Sequence, residues 1–272
     1  MHGAFVDGSS WNAVTGRLLA DGYRVIVPAN PLRGLPTDSA YIASVLRSVE
    51  GPIVLVGQSY GGAVITEAAA GNRNVKALVY VSAFMPDKGE VLGQLAAKFP
   101  GSELNPALVQ KPFTNADGST GTDLYVSPDK FRAVAAADLP QTATSVAAAS
   151  QRPISATAFT DKVTSAAWRT IPSWAVVATN DKAIAPDLER FQAKRAESHT
   201  VEIDSSHSVM ISHPDAVTDV IRDAARGQSS TPALAETGLT PLGVAGAAAA
   251  GGMLIIGAGL MVISRKRSTG TH

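Results

Sequence analysis

Ser59 stands in the run Gly57-Gln58-Ser59-Tyr60-Gly61, straight after an apolar stretch and before the small-residue segment GGAVITEAAA. A serine hydroxyl becomes a useful nucleophile only when a base takes its proton and a third group orients that base. His207, in IDSSHSVMISHP, and Asp181, in SWAVVATNDKAI, are of the right types for those roles. Each follows an apolar run that reads as a strand, so a loop could carry each to one edge of a sheet. The chain order Ser59, Asp181, His207 is the order used where the serine sits on a sharp strand-to-helix turn.

A G-x-S-x-G match alone is weak in a chain with 24 glycines, and its bland reading is a serine in an ordinary turn. Context strengthens it, because the elbow needs a strand, a tight turn and a helix, with glycine where side chains would clash. The competing residues fit less well. Asp204 lies close to His207 inside an expected strand, and His213 precedes Pro214 at a helix start. His199 begins a strand, and His272 is terminal. Attack on a carbonyl also needs two N–H donors for the oxyanion. The backbone N–H of Tyr60, next to the nucleophile, is one candidate. The segment HGAFVDGSSW offers the other, with Ala4 as the choice and Phe5 second; a simple N-terminal turn is its bland reading.

These residues need a scaffold that brings three distant segments together. Tyr23 to Ala29, Pro52 to Gly57, Val75 to Ser82, Ser173 to Thr179 and Thr200 to Asp204 read as strands. The middle three are almost continuously apolar, as strands of a parallel sheet covered on both faces should be. Helical faces recur between them: Trp11, Val14 and Leu18; Ile42, Val45, Leu46 and Val49; Val217, Val220 and Ile221. Strand and helix alternate, which predicts an α/β fold with a doubly wound, mostly parallel sheet. Residues 1–87 and 166–227 make the core in this reading. Residues 88–165 break the rhythm and are read as a mostly helical cap, with Phe99, Phe113, Tyr125, Phe131 and Phe159 scattered through it.

Composition narrows the partners. Lys and Arg total 23 against 23 Asp and Glu, so nucleic acid is not an expected partner. The chain has no cysteine, which rules out a disulfide, a thiolate metal site and a cysteine nucleophile. No cluster with metal-ligand spacing stands out, and no metal or organic cofactor is expected.

Taken together, HGAF near the start, the elbow GQSYGG, Asp181 and His207 resemble the α/β-hydrolase superfamily, within it a small esterase-like group. The resemblance runs over roughly residues 1–226. It implies Ser59 as nucleophile, His207 as base, Asp181 as acid, and Ala4 and Tyr60 as oxyanion donors. Gln58 departs from it, since many relatives have His there. A second departure is the start: relatives show a buried strand leading into HGAF, where this chain shows Met1. The expectation is that Met1 is internal to a longer reading frame whose missing part holds at least one central strand.

The other end reads differently. Pro241 to Ile263 carries no charge over about 23 residues, roughly 35 Å of helix against a hydrocarbon core of about 30 Å. Ser264-Arg265-Lys266-Arg267 then supplies a basic stop. Before the span stand Leu234, Ala235, Glu236, Thr237 and Gly238, after a linker that opens at 228. Motif, span in 239–272 and basic end together resemble the cell-wall sorting signal of Gram-positive bacteria, in the variant favoured by sortases of high-GC species. That resemblance implies cleavage between Thr237 and Gly238, with sortase and peptidoglycan as partners and membrane contact through 241–263 beforehand. Sorting requires export, so a signal peptide is expected upstream of Met1.

The combined expectation is a wall-displayed serine hydrolase acting on small or medium carboxylic esters. The alternatives are a hydroxynitrile lyase or another non-hydrolytic enzyme on the same fold, and a surface binding protein with a vestigial triad.

Overall fold

A computed structural model describes residues 1–227. The sorting motif, the apolar span and the expected C-terminal hydrophobic helix lie outside the described residues. Among the described residues there are seven strands: β1 Ile53–Ser59, β2 Val75–Ala83, β3 Leu108–Thr114, β4 Thr120–Val126, β5 Ile154–Ser155, β6 Ser173–Ala178 and β7 His199–Ile203. The helices are α1 Asn12–Ala20, α2 Leu35–Arg47, α3 Tyr60–Ala68, α4 Leu92–Ala97, α5 Pro128–Ala135, α6 Gln141–Ala149, α7 Pro186–Arg195, α8 Val209–Ser212 and α9 Pro214–Arg226. Among the described residues no helix is long and apolar enough to cross a membrane.

The main sheet runs β1-β2-β6-β7, parallel throughout. Strand alternation explains how it is covered on both faces. Ala77, Val79 and Val81 of β2 pack with Val14 and Leu18 of α1 and with Val217, Val220 and Ile221 of α9. Leu78 and Tyr80 point the other way, into a core shared with α2, α3 and the 84–168 interval. Each such buried aliphatic side chain stabilises by about 1.5–3 kcal/mol. In α9 the apolar positions 217, 220, 221 and 224 fall three, four and seven residues apart, which puts one stripe against the sheet.

Two expectations need correction. Tyr23–Ala29 is not a strand, because it has no ladder partner among the described residues. Its chain continues to Asn30, whose N–H meets His2 rather than a sheet edge. The edge of β1 away from β2 is occupied by Met1, whose carbonyl accepts the Gln58 N–H at 3.1 Å. Ile53 to Val56 of β1 are therefore only half-buried, whereas all six residues of β6 are buried.

The interval between β2 and β6 is also less helical than expected. It contains a second, antiparallel sheet β3-β4-β5 beside α4, α5 and α6. The hairpin turns at Asn115–Ser119, where Asn115 N–H bonds Ser119 O and the Asp117 carboxylate accepts the Ser119 N–H. No residue of β3 is fully buried, so it carries no alternating apolar signature.

Candidate active site

β1 ends at Ser59 and α3 begins at the next residue. The turn is too sharp for ordinary backbone: Ser59 has φ 55° and ψ −127°, a sparsely populated region that costs about 1–3 kcal/mol. Close packing holds it there. A Cβ on Gly57 would sit 2.6 Å from Gly61 O, and one on Gly61 would sit 2.8 Å from His2 O. Strand, helix and HGAF segment thus approach through bare backbone, and the serine is left on the pocket wall.

Asp181 follows β6, and a local turn fixes its carboxylate. Oδ1 accepts the N–H groups of Ala183 at 2.7 Å and Ile184 at 2.9 Å. Oδ2 accepts Nδ1–H of His207 at 2.5 Å, and the Asp181 side chain is wholly shielded from solvent. With Nδ1 donating, the other imidazole nitrogen, Nε2, keeps its lone pair. That lone pair accepts the side-chain amide of Gln58 at 3.1 Å; the same amide lies 3.4 Å from the His207 carbonyl. Ser59 and His207 share one pocket, and the bond at Nε2 is with Gln58 rather than Ser59.

The HGAF segment forms the adjoining wall. Ala4, Phe5 and Val6 line the pocket, and Phe5 takes a positive φ of 65°. His2 is fully buried and locks this turn: Nδ1–H donates to Gly3 O at 2.9 Å, and Nε2 accepts Asn30 N–H at 2.9 Å. Burial pushes its imidazole down to about 4. Tyr60 contributes its backbone to the start of α3, while its buried phenol donates to Asp38 Oδ2 at 2.7 Å. Burial, reinforced by Asp38, pushes that phenol well above its ordinary range.

The loop carrying His207 is tied down from above. Asp138, between α5 and α6, accepts Ser205 Oγ at 2.9 Å, Ser206 N–H at 3.1 Å and Ser206 Oγ at 2.5 Å. Ser208 Oγ donates to Ala135 O at 2.7 Å. Phe84, Leu104, Val126, Phe131, Val134, Phe159 and Met210 complete a pocket that, among the described residues, no charged side chain lines. Of the scattered aromatics, only Phe131 and Phe159 reach it.

Ser59, Asp181, His207 and Ala4 are brought to one place; the sorting residues Leu234 to Gly238 lie outside the described residues. Sequence reasoning missed the Gln58 contact with His207 and the Asp138 clamp. A serine on each side of His207 was the available signal for the clamp. Among the described residues no group of three His, Asp or Glu side chains is placed to hold a metal ion.

Among curated proteins, a carbendazim hydrolyzing esterase of Nocardioides sp. (strain SG-4G) is 32% identical over 111 residues, covering 36% of this chain and 46% of that protein. The chain thus spans less than half the length of that relative. Among solved structures, polyneuridine aldehyde esterase superposes with a TM-score of 0.70 at 19% identity, covering 82% of this chain and 96% of that one. A pyrethroid hydrolase from Sphingobium faniae JZ-2 gives 0.65 at 23% identity, covering 83% and 95%. At such identities these two likenesses concern the fold alone. The alpha/beta hydrolase family model matches residues 1–220, a stretch that takes in the elbow, Asp181 and His207 together. The chain belongs to the alpha/beta hydrolase family.

Proposed function

We propose that this protein is a serine-dependent hydrolase of small or medium, uncharged, apolar carboxylic esters. The observation that carries the reading is the 2.5 Å bond from His207 Nδ1–H to Asp181, which leaves Nε2 as the acceptor nitrogen in the pocket holding Ser59. Ser59 Oγ attacks the ester carbonyl, and His207 Nε2 takes its proton, exchanging the Gln58 amide for the hydroxyl. Asp181 holds the tautomer and stabilises the imidazolium. Backbone N–H groups of Ala4 and Tyr60 receive the oxyanion, and α3 directs the positive end of its dipole toward it. His207 returns the proton to the leaving alkoxide. Water, activated by the same nitrogen, then releases the acid. A charged substrate would lose its hydration among Phe84, Phe131, Phe159 and Met210 without gaining a counter-ion, so neutral esters are favoured. The names of the relatives, esterases and a hydrolase, support the same reaction class.

We also propose display on the wall of a Gram-positive bacterium. It rests on Leu234 to Gly238, the uncharged run from Pro241 to Ile263 and the basic end.

One experiment addresses both. Intact source cells are treated with a fluorophosphonate probe, and the wall fraction is analysed by peptide mass spectrometry beside a Ser59→Ala strain. A probe adduct on Ser59 in wall-linked peptides is expected. Unmodified Ser59 in abundant wall peptides overturns the enzyme reading. Full-length protein confined to the cytoplasm with its C-terminal peptide intact overturns the wall reading.

A further inference from the structure

A second carboxyl group lies directly behind the acid of the proposed triad. Glu189, in the first turn of α7, is 4% exposed. Its Oε2 accepts the Ala178 N–H of β6 at 3.2 Å, while Oε1 is buried and receives no N–H or O–H among the described residues. Asp181 is held by the same residue, its N–H donating to Ala178 O at 3.2 Å, and its fully shielded carboxylate already accepts Ala183, Ile184 and His207.

Two buried carboxylates cannot both stay ionised side by side without a cation between them. None is there. Arg190, the next residue on α7, pairs with Glu202 and Asp187 at the surface. Lys182 pairs with Glu103. From β2, Tyr80 faces the same space, with its hydroxyl engaged by Thr66. Gln192, one turn along α7, is committed to the backbone of Met85 and Ala83. Asp181 is the carboxylate that serves a histidine, so the proton belongs on Glu189.

We propose that Glu189 is a positioning residue of the triad: its carboxyl is protonated and donates a hydrogen bond to Asp181. The bond gives the Asp181 carboxylate a further fixed partner and so holds the oxygen that orients His207. Burial first, and the Asp181 charge second, push the Glu189 carboxyl well above its ordinary value of 4.5. The kinetic part rests on the proposed hydrolysis; the protonation does not.

The test compares wild type with Glu189→Gln, which keeps a donor of the same shape, and Glu189→Leu, which keeps only the bulk. Infrared difference spectra of wild type against Glu189→Gln at neutral pH are expected to show the C=O stretch of a protonated carboxyl. Asp181→Asn should shift that band by removing the anionic acceptor. Glu189→Leu is expected to lose roughly tenfold in kcat on a chromogenic ester with KM unchanged, and Glu189→Gln to restore it. A missing band, or one unmoved by Asp181→Asn, overturns the proposal. So does equal kcat in the Leu and Gln variants, which would reduce Glu189 to a space-filler. If wild type shows the band and turns over no ester, the hydrolase reading fails while the hydrogen bond stands.

Discussion

His207 faces two differently built halves of the site. Its acid side is compact: Asp181 sits in one local turn after a wholly buried strand, with two backbone N–H bonds and Glu189 behind it. Its serine side is assembled from distant pieces. The elbow ends a strand whose first four residues are half-buried, and Gly57, Gly61, His2 and Asn30 must meet to hold it. The first half holds a charge and is rigid by hydrogen bonding. The second holds a strained backbone by close packing, so it depends on more contacts of longer sequence separation. Damage to the acid side should cost rate at nearly constant fold, and damage to the serine side should cost fold and rate together.

The sharpest break on the acid side is Asp181→Asn. The amide reverses the donor toward His207 and favours the wrong tautomer, so kcat should fall by roughly 10⁴ with melting temperature little changed. Ester turnover and a thermal melt on the same preparation check this. A loss under tenfold would mean that Asp181 does not orient the base.

The serine side is probed best through His2. Its folded-state imidazole is depressed from 6.5 to about 4, so the folded protein binds fewer protons than the unfolded chain between those values. Its contribution is therefore fully present above 6.5 and is lost as the pH falls toward 4, up to about 3 kcal/mol in total. His2→Gln should melt lower than wild type at neutral pH and lose less on acidification across that window. Parallel melting curves at every pH would remove His2 from the account.

How far this division could be read from the residues follows the same line. The apolar runs 52–57, 75–82 and 173–179 announce a parallel sheet because both faces are covered. Tyr23–Ala29 carries a similar apolar content, yet periodicity reports where side chains go and says nothing of whether a partner strand is present. β3 is half-buried or exposed throughout, which erases the alternation that would have announced it. Asp181 and His207 stand out because a loop after a strand is where such groups must lie. Glu189 does not, since an acid in the first turn of a helix ordinarily faces water and complements the dipole. Only the packing of α7 on β6 puts it against another carboxylate.

Between the halves lies the loop 205–208, and Asp138 links it to α5 and α6. Asp138→Ala removes three hydrogen bonds from Ser205 and Ser206 and frees the segment that carries His207. Because Asp181 still binds the imidazole, the expected effect is moderate: about tenfold in kcat, with a drop in melting temperature smaller than that of His2→Gln at neutral pH. Steady-state kinetics separate the outcomes. A change confined to KM would assign Asp138 to the pocket wall instead of the histidine loop.

The smallest effect belongs to Gln58, where the two halves touch. Its amide occupies Nε2, the atom that receives the Ser59 proton in the proposed reaction, so in that reaction the bond has to open before attack. A neutral hydrogen bond of this kind is worth about 0.5–1.5 kcal/mol net. Gln58→Leu removes the competitor while keeping a side chain of comparable bulk beside Gly3. Fluorophosphonate labelling of Ser59 should then accelerate by roughly three- to tenfold, since the base no longer exchanges partners. A slowing by the same factor carries the opposite meaning. Gln58 would then be holding the imidazole toward the serine through its second contact, at His207 O, and the elbow would owe its base to the side chain beside the nucleophile as much as to Asp181.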